Sequence, residues 1–216
     1  MSKIVWNETG KKLYEAGVRM GVYYPMQDSA YTGGVAWNGL TAFNKNPSGA
    51  EPTALWADDS KYINLMSAEE FGATIEAYTY PEEFNAALGN KEIAPGVYVG
   101  QQDRAIFGLC VRTTIGNDVD GTEHGYKLHI VYGCQASPSE TSYSTINDSP
   151  EAMNMSWEIA TTPVNVTGMK PTAYIEIDST KVDEAKLKAL EDILYGSASE
   201  EARLPLPDEI AQLLKQ

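Results

Sequence analysis

His124 and His129 are the only histidines in the chain, so a Ser/His/Asp or Cys/His nucleophilic arrangement must use one of them. His129 lies in a run that alternates like a strand, and no Gly-x-Ser-x-Gly turn accompanies it. It therefore reads as an outward-facing or hydrogen-bonded strand residue. The densest set of metal-ligand types is Asp118, Asp120, Glu123 and His124. It fails the calcium-loop pattern: counting from Asp118, the fifth position is Thr122 and the twelfth is His129, where a bidentate Glu is needed. A solvated hairpin tip accounts for these residues, and neither metal nor cofactor is expected. The acidic pairs Glu69-Glu70 and Glu82-Glu83 do not make a glycosidase, whose two carboxylates must face each other across a sugar from separate elements. Solvated or helix-capping roles suffice for them. There is no phosphate loop and no dinucleotide fingerprint. Cys110 and Cys134 have neither CxxC spacing nor a second Cys pair for structural zinc, and are expected as buried thiols in a reducing compartment. No catalytic residue emerges.

The aromatic residues are more informative. Tyr and Trp (13 and 4) far outnumber Phe (4), favouring amphipathic rings that sit half-buried on sheets or at interfaces. Trp37, Phe43, Trp56 and Tyr62 lie in or beside a Gly- and Pro-rich stretch, 33–52, that reads as a long loop or mobile hairpin. Large rings on such a connection serve either as core or as anchors for a partner. These four are the candidate self-assembly residues.

The elements that must carry these residues are mostly strands. From Val18 onward, short runs of β-branched and aromatic residues are separated by Gly, Pro, Asn and Asp clusters. Met153, Met155, Trp157 and Ile159 alternate with polar or small residues, as a half-buried strand requires. Tyr126, Leu128, Ile130, Tyr132 and Cys134 share one parity, and this strand should pair with 106–114 as a hairpin around the turn-rich 116–121. Residues 71–80 and 173–177 show the same period of two. Candidates at 18–24, 34–43 and 53–66 bring the count to about eight, suiting a sandwich or barrel. A short helix is expected over 81–88, with Pro81 at its start. Near the end, Asp183 can cap a helix over 184–195, with Val182 stapling onto Leu187, Ala185, Ala189 and Ile193 on one face, and Gly196 as terminator. A short amphipathic helix carrying Ile210, Leu213 and Leu214 follows. The expected architecture is thus mainly β: an antiparallel sandwich or barrel over 1–180, with short flanking helices and a helical appendage over 181–216.

Composition bounds what such a domain does. Hydrophobic residues at 43% and charged residues at 21% are ordinary globular usage, which excludes wholesale disorder and fibrous repeats. Thirty acidic against sixteen basic residues give a net charge of -14, which disfavours gripping nucleic acid because phosphate binding needs clustered Lys and Arg. The first twelve residues lack the apolar core of a secretory signal, and no run approaches the ~18 apolar residues of a membrane span. A soluble protein without membrane contact is expected.

Several phrases resemble the major tail proteins, or tail-tube proteins, of long-tailed, non-contractile bacteriophages infecting Gram-positive bacteria. They include Gly21-Val22-Tyr23-Tyr24-Pro25, Val35-Ala36-Trp37-Asn38-Gly39-Leu40, and the block from Ser48 through Glu51-Pro52-Thr53-Ala54-Leu55-Trp56 to Asp58. Phe71-Gly72-Ala73-Thr74-Ile75-Glu76-Ala77-Tyr78, Gly108-Leu109-Cys110, His124-Gly125-Tyr126-Lys127 and Tyr143-Ser144-Thr145-Ile146-Asn147-Asp148-Ser149-Pro150 are similar too. So is the ending Ala202-Arg203-Leu204-Pro205-Leu206-Pro207, so that the resemblance covers nearly the whole chain.

The resemblance implies a non-enzymatic virion protein with a β-sandwich tube fold, assembled in the host cytoplasm. Its subunits would form hexameric rings that stack into the tail. The implied partners are other copies of the chain, the tape-measure protein, and the distal tail and tail-terminator proteins, with DNA passing through the lumen without specific binding. An extended loop between early strands and the chain termini would grip neighbouring rings, which points to 33–52 and 197–216. A carboxylate-lined channel would repel DNA phosphates and let the genome slide. Two alternatives stay open: a monomeric carbohydrate-binding sandwich using exposed rings as sugar platforms, and the tube subunit of a DNA-free phage-derived particle.

Overall fold

A computed structural model describes residues 3–146, 148 and 151–215. Met1, Ser2 and Gln216 lie outside the described residues, as do Asn147, Ser149 and Pro150 of the phrase beginning at Tyr143. The strands are β1 (Tyr14–Gln27), β2 (Ala30–Thr32), β3 (Val35–Trp37), β4 (Leu40–Lys45), β5 (Ser48–Gly49), β6 (Pro52–Ala57), β7 (Ser60–Met66), β8 (Glu69–Glu70) and β9 (Gly72–Ala77). A 3-10 turn (Glu82–Phe84) then runs into α1 (Asn85–Leu88), which Gly89 ends in the left-handed conformation. Next come β10 (Lys91–Ala94), β11 (Val97–Val99), β12 (Phe107–Asn117), β13 (Gly121–Ala136), β14 (Met155–Thr161) and β15 (Tyr174–Asp178). The chain closes with α2 (Glu184–Tyr195), β16 (Arg203–Leu204) and α3 (Pro207–Lys215).

Ten strands make one antiparallel sheet in the order β16-β2-β1-β12-β13-β14-β9-β4, with β15 also paired to β13 and β3 to β1. β3 and β4 are consecutive, and β3 pairs with β1 while β4 pairs with β9. The ribbon therefore curls back on itself, a sandwich nearly closed into a barrel. The stretch 33–52, read as a long loop or mobile hairpin with a strand candidate at 34–43, is mostly sheet: β3 and β4 supply that closure.

Both faces of the central strands are covered, which is why their sequences are apolar at successive positions. Tyr23, Trp37, Ile75, Phe84, Phe107, Leu109 and Trp157 fill the inner core. Tyr24, Cys110, Leu128, Ile130 and Tyr132 turn the other way, against Leu187, Leu190 and Leu194 of α2, Leu204 of β16 and Ile210 of α3. The segment expected as an appendage is thus the lid of a second core. Buried tyrosines fasten it: Tyr24 Oη donates to the Leu194 carbonyl at 2.6 Å, and Tyr132 Oη to the Pro205 carbonyl at 2.8 Å. Asp183 caps α2 as expected, its Oδ1 accepting from the Ala185 and Lys186 amides. The buried face of α2 is Leu187, Leu190 and Leu194, whereas Ala185 and Ala189 are exposed and Ile193 is half-buried. Leucines at this spacing bury far more apolar area than the alanine stripe, and so decide the helix's rotation.

Cys134 departs from the parity of Tyr126 to Tyr132. Pairing runs Leu109 to Val131 but Phe107 to Cys134, so the register slips by one residue at Gly133. Gly133 has φ +59°, the left-handed glycine of a β-bulge, and the extra residue swings Cys134 into the inner core beside Phe107. A Cβ on Gly133 would run into the Thr162 carbonyl. Replacing Gly133 with Ala is expected to cost about 2–4 kcal/mol through left-handed strain and that clash, measured as a lower urea midpoint with an unchanged slope.

Candidate functional site

The residues whose types suggested chemistry are brought together in part, but as cross-links. His129 is 3% exposed. Its Nε2 is 2.8 Å from Thr113 Oγ1 and its Nδ1 2.6 Å from Tyr174 Oη. Tyr174 Oη in turn donates to Glu176 Oε2 at 2.8 Å, where Lys45 Nζ also donates at 3.2 Å. Lys127 joins Glu176 Oε1 at 2.9 Å and pairs with Glu15 as well. The cluster ties β1, β4, β12, β13 and β15 together, and Phe71 stacks on Tyr174 at 4.6 Å.

Its electrostatics follow from burial and mutual pairing. Burial, reinforced by Lys45, pushes the His129 pKa down and favours neutral imidazole, but both ring nitrogens are occupied. Burial, reinforced by Glu176, pushes the Tyr174 phenol up. Burial alone would raise Glu176, but hydrogen bonds from Lys127, Tyr174 and Lys45 outweigh it and hold the carboxyl down to about 2.

The polar tip is likewise spoken for. Asn117, almost fully buried, accepts from the Val119 and Asp120 amides and donates to Asp120 Oδ2 at 3.0 Å, while the Gly10 amide donates to Asp118 Oδ1 at 3.0 Å. The turn therefore holds the amino-terminal arm. Among the described residues no three His, Cys, Asp or Glu side chains are grouped to hold a metal. Cys110 and Cys134 are free, buried and in different cores; burial pushes Cys110 up to about 12 and Cys134 further up.

The four aromatic candidates separate. Trp37 is core: its Nε1 donates to the Thr79 carbonyl at 2.9 Å, and its ring lies 4.5 Å from Phe84 and 5.6 Å from Trp157. Phe43 is half-buried, its ring 5.9 Å from His129. Trp56 and Tyr62 are 70% and 74% exposed and sit together on the hairpin of β6 and β7.

That hairpin is the candidate site. Among the described residues it is a two-stranded ribbon whose strands pair only with each other. Asp58 and Asp59, both at positive φ, make the two-residue turn at its tip. Leu55 and Ile63, paired with each other, share one face with Leu65, and every residue of β7 is exposed. The protruding arm thus comes immediately after the 33–52 stretch. Two smaller exposed apolar groups were not anticipated: Ile4, Val5 and Trp6 on the amino-terminal arm, and Ile93, Val97, Tyr98 and Val99 on the β10–β11 hairpin. The readable signal was apolar residues at both parities, as in Leu55-Trp56 and Tyr62-Ile63, flanking a two-residue Asp-Asp turn.

No protein-family model matches the chain, and no curated protein does. Among the described residues no helix is long and apolar enough to cross a membrane.

The cluster makes a pH prediction. The folded pKa of Glu176 lies below its ordinary 4.5, so its contribution is full above that value and fades as pH falls toward about 2. His129, depressed below 6.5, contributes in the same direction at a higher pH, because the unfolded chain binds that proton more readily. Thermal melts of Glu176→Gln against the parent protein, run from pH 7 to pH 2.5, should show lower stability at pH 7 and a smaller loss below pH 4.5. Parallel curves would remove Glu176 from the acid response.

Proposed function

We propose that this chain is the structural subunit of a phage tail tube, forming hexameric rings that stack into the conduit for the genome. The carrying observation is the β6–β7 ribbon, an arm with exposed apolar side chains on both faces and, among the described residues, no further strand paired to it. An isolated two-stranded ribbon is marginal in water, and contiguous exposed apolar surface is a mark of association. A ribbon of this kind is ordered and covered when another copy supplies the missing layer. The sequence resemblance supports naming the assembly a tail tube, and the mainly β, nearly closed sandwich is a suitable rigid body for such an arm.

The charge of -14 fits the same reading, since acidic walls let DNA pass without adhering. In this role the subunit's neighbours are other copies, the tape-measure protein along the lumen, and the distal and terminator proteins at the two ends. The cross-linked polar cluster and the inert thiols then serve as rivets of the wall, with no catalytic task.

Negative-stain microscopy of the concentrated protein, with its size distribution by sedimentation, tests the proposal; rings or hollow tubes are expected. A variant with 53–65 replaced by a short Gly-Ser turn should keep its melting transition and remain monomeric. Trp56→Ala alone should weaken association by about 2 kcal/mol, ~30-fold, as loss of an interface anchor does. Tubes of normal length and yield from the ribbon-less variant would defeat the assignment of the arm.

A further inference from the structure

A groove beside α3 matches the tip of the ribbon in both apolar character and charge. It lies between α3 and the 164–175 segment, with a volume of ≈ 640 Å³, in the range of sites that hold a large ring. Val166, Met169, Ile175, Ile210 and Ala211 give it an apolar wall, and Met169 is 75% exposed. Lys170 and Lys215 also line it, and neither has an ion pair among the described residues. The groove's own carboxylate, Asp208, is committed to the Thr167 amide and hydroxyl at 2.9 and 2.7 Å. The ribbon tip presents the complement: Asp58 and Asp59, exposed and free of ion pairs among the described residues, lie next to Trp56 and outnumber the one cation there, Lys61.

Resting on the self-assembly reading above, we propose that this groove on one copy of the chain receives the ribbon tip of another. The Trp56 ring lies against the apolar wall, and Asp58 and Asp59 face Lys170 and Lys215. A copy cannot fill its own groove. The groove runs on into a second hollow formed by Met66, Ala68 and Glu69 at the ribbon's root, sharing Lys170, Thr172 and Tyr174 with it. The paired strands of the ribbon carry its tip about 20 Å from that root at ~3.3 Å per residue. The contact is therefore heterologous, tip to root, and propagates from copy to copy. In a chain of net charge -14, a groove whose two lysines outnumber its one carboxylate, Asp208, is also a seat where an acidic tip meets reduced repulsion.

Charge exchange tests this pairing by sedimentation velocity at matched low salt. Asp58→Lys/Asp59→Lys and Lys170→Glu/Lys215→Glu should each weaken self-association by about tenfold or more, and the protein carrying all four should recover to within about threefold of the parent. All four side chains are exposed, so the lysine pair's variant should melt as the parent does, while Lys at the positive-φ positions 58 and 59 lowers the transition slightly through local turn strain. If one variant melts early, the neutral Asp58→Asn/Asp59→Asn and Lys170→Gln/Lys215→Gln pairs replace it, each weakening association with no recovery when combined. Association in the charge variants equal to the parent's, or no recovery in the fourfold protein, overturns the pairing while leaving the tube reading intact. A parent protein that stays monomeric at every concentration overturns the self-assembly reading, and this inference with it.

Discussion

The antiparallel pairing of β12 with β13 is the contact on which the rest of the molecule depends, because those two strands feed both cores. Leu109, Val111 and Val131 face inward while Cys110, Leu128, Ile130 and Tyr132 face the helices, so a one-residue slip would exchange the two sets. The Gly133 bulge lets one strand obey both demands. It keeps Ile130 and Tyr132 under the helical layer and then turns Cys134 inward where the barrel closes. The phenol of Tyr31 braces the bend by accepting from the Gly133 amide at 2.9 Å. Register, closure and the seat of the carboxy-terminal helices are thus one geometric decision.

Much of this was legible in the residues, because period-two alternation is a direct imprint of the pleat. The strands around Trp157, Ile75 and Ile130 and the hairpin linking 106–114 to 126–134 are where alternation placed them, and the Asp183 cap was readable from local hydrogen-bonding chemistry. What stayed hidden depends on tertiary partners. Cys134 changes sides because a single glycine adopts a left-handed conformation, which parity cannot encode. The rotation of α2 was misread because identifying a stripe says nothing about which stripe buries more area once a sheet lies beneath it. Within 33–52 the strand candidate at 34–43 was legible, but not that a break at Asn38-Gly39 sends its two halves to different edges, β3 to β1 and β4 to β9.

The candidate site divides along the same line. Trp37 and Trp56 look alike in sequence, each a tryptophan in a Gly- and Pro-rich neighbourhood. One is sealed among Phe84 and Trp157 and the other projects into water, since Trp37 falls on a strand that closes the barrel and Trp56 on a ribbon that joins no sheet. The polar cluster around Glu176 was invisible for a different reason: its members come from distant strands and meet only when β4, β13 and β15 are in register.

The layered plan also sets an order of events during synthesis. β1 can pair early with β2 and β3, but its long central partner β12 comes about ninety positions later in the chain, and the outer face of β13 stays uncovered until α2 and α3 have emerged from the ribosome. A nascent chain that has made its barrel strands therefore displays Leu128, Ile130 and Tyr132 to solvent until α2 and α3 have been made. Such non-local pairing is intrinsically slow and exposes apolar surface meanwhile. The late helices thus act as the chain's own shield, covering an apolar face that the barrel strands cannot cover by themselves.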